Sequence, residues 1–193
     1  MTAELRFDLA PSAEQAAKLE RLQQSFADVC NALAPVVQER RLWHRVTLHH
    51  LMYHQLREEF PALGSQMVCN AIHSVCRNAR RVYQDPASPY QALGPGAPLP
   101  LLRFSGRGPV MFDRHTLSIR EGTVSLYTLE GRIRCAAPTE AAQARLRDAR
   151  LREIELRRGA ATFELAFRFA PGAGPDDGAP TRGAIPEYIE VQA

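Results

Sequence analysis

The chain has few of the features that mark membrane, secreted or metal-binding proteins. Its 193 residues contain no apolar run long enough to span a bilayer. The first residues combine neither a basic start nor an apolar core, so we expect no secretory signal and a cytoplasmic protein. The four cysteines form no CxxC pair. We therefore expect them to be small core or surface residues with no metal role.

Catalytic motifs are missing as well. The sequence has no GxSxG, P-loop or GxGxxG pattern. His50 and His54 have the i, i+4 spacing of helical metal ligands, but no acidic residue completes an HExxH pattern. The carboxylates are scattered or lie beside arginines, which does not favour a two-metal nuclease site. The sequence therefore predicts no enzyme, no cofactor and no metal site.

Lysine is nearly absent, since only Lys18 among the 24 Lys and Arg residues is a lysine. Arginine suits bidentate phosphate contacts and stacking on bases, although a GC-rich genome would give the same bias. Residues 1–170 carry 23 cations and 17 acids, a net +6, whereas residues 171–193 carry one cation and four acids, a net −3. A basic body with a short acidic tail is typical of a nucleic-acid binder.

Hydrophobic periodicity predicts three helices followed by short strands. Ser12 and Gln15 can form a capping box that begins a long amphipathic helix, and we expect Thr47 to cap a second helix. The third helix, over about 65–83, is expected to show a polar outer face of Asn70, His73, Arg77, Asn78, Arg80 and Arg81. Beyond it the apolar period changes from 3.6 to 2, which predicts antiparallel strands. These elements are strands at 101–105, 109–113, 116–120, 123–129 and 132–136, a helix through about 149, and a hairpin of 153–158 and 162–170.

The order of elements predicts an α+β fold in which a wedge-like antiparallel β-barrel is interrupted by a three-helix lobe. We expect a strand at 5–9 to pair with the later strands. The predicted divisions are a first barrel strand (1–10), a helical recognition-like lobe (11–84), a linker (85–100), the barrel (101–170) and a mobile acidic tail (171–193).

Arginines with aromatic neighbours are the strongest functional signal. Guanidinium groups neutralise phosphates, and aromatic rings stack on unpaired bases. A solvated arginine-rich surface is the alternative interpretation. The clusters are Arg40, Arg41, Trp43 and Arg45; Arg77, Arg80, Arg81 and Tyr83; and Arg114, Arg120, Arg132 and Arg134.

Four segments resemble the N-terminal part of the TnpB (OrfB) proteins of insertion sequences, which are related to type V CRISPR effectors. They are LAPSAEQ at 9–15, LHHLMYHQLREEFPALGSQMV at 48–68, FDRHTLSI at 112–119 and VSLYTLEGRI at 124–133. The resemblance implies a wedge barrel interrupted by a helical recognition lobe. In that family these parts grip a guide RNA scaffold, read a short motif beside the target and hold the guide–target heteroduplex.

The resemblance also implies roles for individual residues. Ser65, Gln66 and Asn70 would lie close to the target duplex. Arg77, Arg80 and Arg81 would lie by the nucleic-acid backbone, further along the same helix. Arg132 and Arg134 would belong to the RNA-facing barrel.

The chain departs from the family where the RuvC nuclease domain would follow. Residues 185–191 resemble a strand, but the catalytic carboxylates and the zinc-binding insertion of that domain are not in these 193 residues. We therefore expect a nuclease-lacking TnpB-like RNA-binding protein, in RNA-guided DNA binding or as the non-catalytic subunit of a split effector. Its expected partners are structured guide-type RNA, target DNA and a separate RuvC nuclease subunit, and no membrane.

Two alternatives from other classes stay open. One is a protein–protein interaction module, and the other is a DNA-binding regulator derived from a transposon protein. A helix-turn-helix reading of the second and third helices is disfavoured, because their connection at 60–64 is longer than the usual turn.

Overall fold

The computed structural model describes residues 3–91, 94, 96–137, 140, 151–159, 162–169 and 185–192. These residues form an α+β structure, which confirms the predicted class. The elements are β1 (Ala3–Asp8), α1 (Ala13–Arg40), α2 (Arg45–Glu59), α3 (Ser65–Tyr83), β2 (Leu101–Phe104), β3 (Val110–Phe112), β4 (Leu117–Arg120), β5 (Thr123–Thr128), β6 (Gly131–Ala136), β7 (Leu151–Arg158), β8 (Phe163–Phe169) and β9 (Ile189–Gln192). The predicted helix through 149 falls almost entirely outside the described residues.

The chain forms two compact units, each built from segments distant in sequence. The first comprises Met1–Gln24 and Pro109–Pro175, and the second comprises Ser25–Gly108 and Asp176–Ala193. Helix α1 contributes its first turns to the first unit and the rest to the second.

Local sequence signals set the starts of the helices. The predicted capping box at α1 is present, since Ser12 N donates to Gln15 Oε1 at 3.0 Å and Gln15 N donates to Ser12 Oγ at 3.2 Å. The prediction that Thr47 caps α2 is wrong. Its backbone N–H instead donates to Nδ1 of His44, the extended residue before the helix, at 3.4 Å. An imidazole nitrogen with a free lone pair can accept this bond as a serine oxygen would.

In the first unit, the N-terminal strand shares one sheet with strands that follow more than 100 residues later in the chain. Its order is β1-β8-β7-β3, and all neighbours are antiparallel. The pairing of β1 with β8 confirms that the first strand joins the later ones, with Phe7 stacked on Phe167 at 5.3 Å between ring centroids. A second sheet of order β4-β5-β6 belongs to the same unit.

The predicted barrel is not supported. In the described residues the strands form separate sheets of four, three and two strands, and none of them closes. Alternating apolar and polar residues show that one face of a strand is buried, which holds equally for an open sheet. The sequence pattern therefore identified strands correctly but carried no information about closure.

The second unit packs helices around α3. Twelve of the 19 residues of α3 are buried, whereas α2 buries only Leu48, Met52 and Leu56. The ribbon of β2 and β9 pairs Phe104 with Ile189, so the end of the predicted mobile tail is a paired strand. Residues 170–184 lie outside the described residues. None of the helices in the described part of the chain has both the length and the hydropathy to cross a membrane.

Candidate nucleic-acid interface

Arg41, which follows α1 and is predicted to contact nucleic acid, makes hydrogen bonds within the fold instead. Arg41 adopts a left-handed φ of 51°, and its guanidinium donates to the carbonyl oxygens of Gly94 (3.3 Å) and Ala97. Gln38 Nε2 donates to the carbonyl of Leu99 at 2.6 Å. These bonds fasten the predicted linker to the end of α1, so Arg41 has a structural role.

Trp43 and Arg80 are also engaged inside the second unit. The ring of Trp43 packs on Tyr83, with centroids 5.7 Å apart and planes tilted by 49°. Its carbonyl accepts a hydrogen bond from Arg80 Nε at 3.2 Å, and the Tyr83 hydroxyl donates to the carbonyl of Pro100 at 2.6 Å. Burial raises the pKa of Tyr83 to about 12. Arg40 and Arg45, by contrast, are exposed.

The start of α3 presents fewer polar groups than the sequence suggested. Ser65 is exposed and Gln66 half-buried, but Asn70 is only 7% exposed and lies with Nδ2 4.0 Å from Met67 Sδ. The expected outer-face position of Asn70 and Asn78 is wrong, because α3 is packed on more sides than its apolar stripe indicates. Asn78 instead donates to the carbonyl of Ser74 at 2.9 Å.

The arginines of α3 lie half-buried along one side of the helix. Arg77, Arg80 and Arg81 share this side with His73, and α3 contains no acidic residue. Burial raises the pKa of the Cys30 thiol, and the nearby positive charge of Arg77 opposes this shift without cancelling it. Arg77 therefore lies close to the core, and this side of α3 is only partly available to a ligand.

The β4–β6 sheet in the first unit has one buried, mostly apolar side and one more exposed, mostly polar side. Its register aligns Leu117, Leu126 and Ile133 in one row, and all three are buried. The opposite side, which we call the β4–β6 face, contains no Asp or Glu. It comprises Ser118, Arg120, Thr123, Ser125, Tyr127, Arg132, Arg134 and Ala136.

Arg132 is held in place on this face by neutral acceptors. Its Nε donates to Ser125 Oγ at 3.0 Å, and a terminal nitrogen donates to the carbonyl of Ser125 at 3.0 Å. The other terminal nitrogen donates to the carbonyl of His115 at 3.3 Å. Since none of these partners is a carboxylate, the side chain is oriented while its positive charge is not neutralised.

Three other arginines of the β4–β6 region differ from Arg132 in their hydrogen bonding. Arg120 and Arg134 on the face, and Arg114 in the turn before β4, are exposed. Within the described part of the chain their side chains make no hydrogen bond or ion pair. The acidic Glu130 of the β5–β6 turn is paired with Arg21 of α1 at 2.6 Å. The β4–β6 face therefore presents uncompensated positive charge.

The four-stranded sheet of the same unit shows the opposite pattern. Arg168 bonds to Glu4 at 2.9 Å and to Glu153 at 3.0 Å, and Arg157 bonds to Glu155 at 2.9 Å. Burial raises the pKa of Glu4, but the hydrogen bonds from Arg168 and Arg6 outweigh it and hold that pKa below its ordinary value. Arg6, Arg157 and Arg168 are thus neutralised by carboxylates of their own sheet, and Arg158 is paired with Glu20 of α1 at 2.7 Å.

Comparison with known proteins does not identify the chain. No family model matches it, and no curated protein does. The resemblance to TnpB proteins stays a prediction that rests on the four sequence segments.

Sequence reasoning missed Tyr127. It lies on the β4–β6 face, half-buried and directly opposite Arg132. The signal was present in the alternation of β5, whose residues 124, 126 and 128 are buried while 123, 125 and 127 are half-exposed. The position of Tyr127 opposite Arg132 depends on the register between β5 and β6, which the alternation within one strand does not give.

Three histidines of α2 pack with Tyr53 in a row of aromatic ring contacts. His49 stacks on Tyr53 with centroids 4.7 Å apart, while His50 packs edge-on to His49 and His54 edge-on to Tyr53. Among the described residues, no three His, Cys, Asp or Glu side chains converge as a metal site would require.

Proposed function

We propose that this chain binds structured RNA through the β4–β6 face. The observation that carries the proposal is the set of arginines on one sheet face that lack carboxylate partners in the described part of the chain, whereas Arg157 and Arg168 of the four-stranded sheet are paired with carboxylates. Cations of this kind favour phosphates because contact releases condensed counterions. The hydroxyls of Ser118, Thr123 and Ser125 add neutral hydrogen-bonding groups that suit phosphate and sugar oxygens.

The charges of the face and of Arg114 in the turn before β4 set the expected strength of this interaction. If Arg114, Arg120, Arg132 and Arg134 each meet one phosphate, log K against log salt should have a slope of roughly −3. Affinity would then fall by roughly 60-fold between about 50 and 200 mM salt. Binding of this type is largely independent of sequence, and specificity must come from RNA shape or base contacts.

The biological role we propose follows the resemblance to TnpB proteins. The chain would act in RNA-guided DNA binding, or as the non-catalytic subunit of a split effector whose RuvC nuclease is another polypeptide. In such systems base pairing reads the sequence, while the protein reads shape and a short flanking motif. The exposed Ser65 at the start of α3 is compatible with a DNA contact. The proposal does not depend on a closed wedge barrel.

A DNA-binding regulator of the helix-turn-helix type is less well supported. In that motif the second helix lies in the major groove and needs a free surface. Helix α3 would be that helix, but twelve of its 19 residues are buried in its own unit. This burial favours the sheet face as the nucleic-acid surface.

The test is to purify the protein from the organism that encodes it, extract the bound nucleic acid and sequence it. A discrete, structured RNA would support the proposal and supply a guide for DNA-target assays. A chain that carries no RNA at low salt but co-purifies with one defined protein would instead identify a protein-interaction module. Bound DNA without RNA would identify the regulator.

A further inference from the structure

We infer that Tyr127 and Arg132 form a base-stacking subsite on the β4–β6 face, so that the face takes the unpaired segments of a structured RNA in preference to its duplex segments. This inference rests on the proposed RNA-binding function. It adds the kind of RNA that is recognised and a residue that determines the preference.

The register of the sheet places the ring beside the cation. Tyr127 on β5 is directly opposite Arg132 on β6, and both point to the β4–β6 face. Directly opposite side chains on antiparallel strands have Cβ atoms about 4.5–5.5 Å apart. A base stacked on Tyr127 would therefore have its own phosphate within reach of the Arg132 guanidinium.

The hydrogen bonds of Arg132 keep this arrangement in place before RNA binds. The bonds to Ser125 and to the carbonyl of His115 fix the guanidinium from two sides. An arginine that is already ordered loses less side-chain entropy when it meets a phosphate than a mobile one does. Arg132 is thus preorganised beside Tyr127 for contact with an RNA phosphate.

Arg134 extends the subsite along the same strand. It lies two residues from Arg132 on the same face, roughly 7 Å away at the rise of an antiparallel strand. Its side chain is exposed, and within the described residues it has no charged partner. Because the two arginines lie in line on β6, an RNA backbone that runs along β6 can meet both while a base lies on Tyr127.

The ring is what separates unpaired RNA from duplex. A base must leave its own stack to lie on an aromatic side chain, which costs little in a single strand and requires broken pairs in a duplex. The arginines alone would bind both forms, since both present phosphates. Tyr127 therefore acts as the specificity-determining residue and the arginines supply the shared affinity.

The experiment compares two RNA probes by fluorescence anisotropy. One is a short unstructured oligouridine, and the other is a blunt-ended RNA duplex with the same total number of nucleotides and no unpaired bases. We expect the wild-type chain to bind oligouridine more tightly. Tyr127→Thr, which suits a strand but removes the ring, should weaken oligouridine binding by roughly 5- to 100-fold and duplex binding little. Tyr127→Phe is the matched control and should retain the preference.

Each outcome decides a different question. Equal affinity of the wild-type chain for both probes, or unchanged oligouridine binding in Tyr127→Thr, overturns the stacking subsite and leaves the proposed function standing. Failure of the wild-type chain to bind either probe at low salt overturns the proposed function with it. If circular dichroism shows that Tyr127→Thr is unfolded, Tyr127→Leu retains apolar bulk without a ring and is expected to lose the same preference.

Discussion

The salt dependence of RNA binding should respond to two arginines of the β4–β6 face. Arg120→Gln together with Arg134→Gln removes two exposed guanidinium groups that have no partners in the described part of the chain, so the fold should be unaffected. Removal of one arginine–phosphate interaction should reduce the slope of log K against log salt by about 0.7–0.9. The double variant should therefore bind with a slope smaller by roughly 1.5. Fluorescence anisotropy titrations of one RNA over a series of salt concentrations measure this slope directly.

The matched control is Arg103→Gln. Arg103 is also an exposed strand arginine, but it lies on β2 in the second unit and contacts Gln192 at 3.4 Å. This variant changes the net charge without touching the β4–β6 face, so its slope should stay close to that of the wild-type chain. An unchanged slope in the double variant, or an equal reduction in the control, would refute the assignment of the phosphate contacts to this face.

Three further predictions concern stability. Trp43→Ala removes the half-buried ring that packs on Tyr83, and it should lower the free energy of unfolding, measured in urea titrations, by roughly 2 kcal/mol. The salt dependence of RNA binding should not change. An altered salt dependence with unchanged stability would contradict the structural role of Trp43. Because the folded pKa of Glu4 is lowered from 4.5, its contribution to stability is present above about pH 4.5 and disappears as the pH falls through the folded value. Glu4→Gln should therefore reduce the loss of stability on acidification, and parallel curves for both proteins would disprove this. Gly131 has a φ of 97° in the turn between β5 and β6, a conformation that strains any residue with a Cβ atom. Gly131→Ala should therefore lower the free energy of unfolding by about 1 kcal/mol and so lower the melting temperature. An unchanged melting temperature would argue against this backbone conformation at the β5–β6 turn.

The local part of the fold was predictable from sequence. The capping box of Ser12 and Gln15 and the change of period after the third helix both depend on residues close in the chain. Such signals act through backbone geometry and neighbouring hydrogen bonds, which the sequence states directly. They identified the helices, the strands and the pairing of the first strand with a later one, but not that the strands form separate open sheets.

The candidate site was predictable only in part. Arg41 and Trp43 form an arginine–aromatic cluster in sequence, but their partners are Gly94, Ala97 and Tyr83, which lie about 40 to 55 residues away in the chain. Conversely, Tyr127 lies opposite Arg132 because β5 and β6 are adjacent antiparallel strands. Whether an arginine is neutralised or available depends on such tertiary neighbours, and a linear pattern does not contain them.

Ultraviolet crosslinking of the purified chain to bound RNA, followed by mass spectrometry of the tryptic peptides, tests the central claim most directly. We predict crosslinks in the peptide 121–132, which carries Tyr127 and lies between two arginines of the β4–β6 face. Crosslinks confined to the four-stranded sheet or to α3, with none in 121–132, would contradict the account.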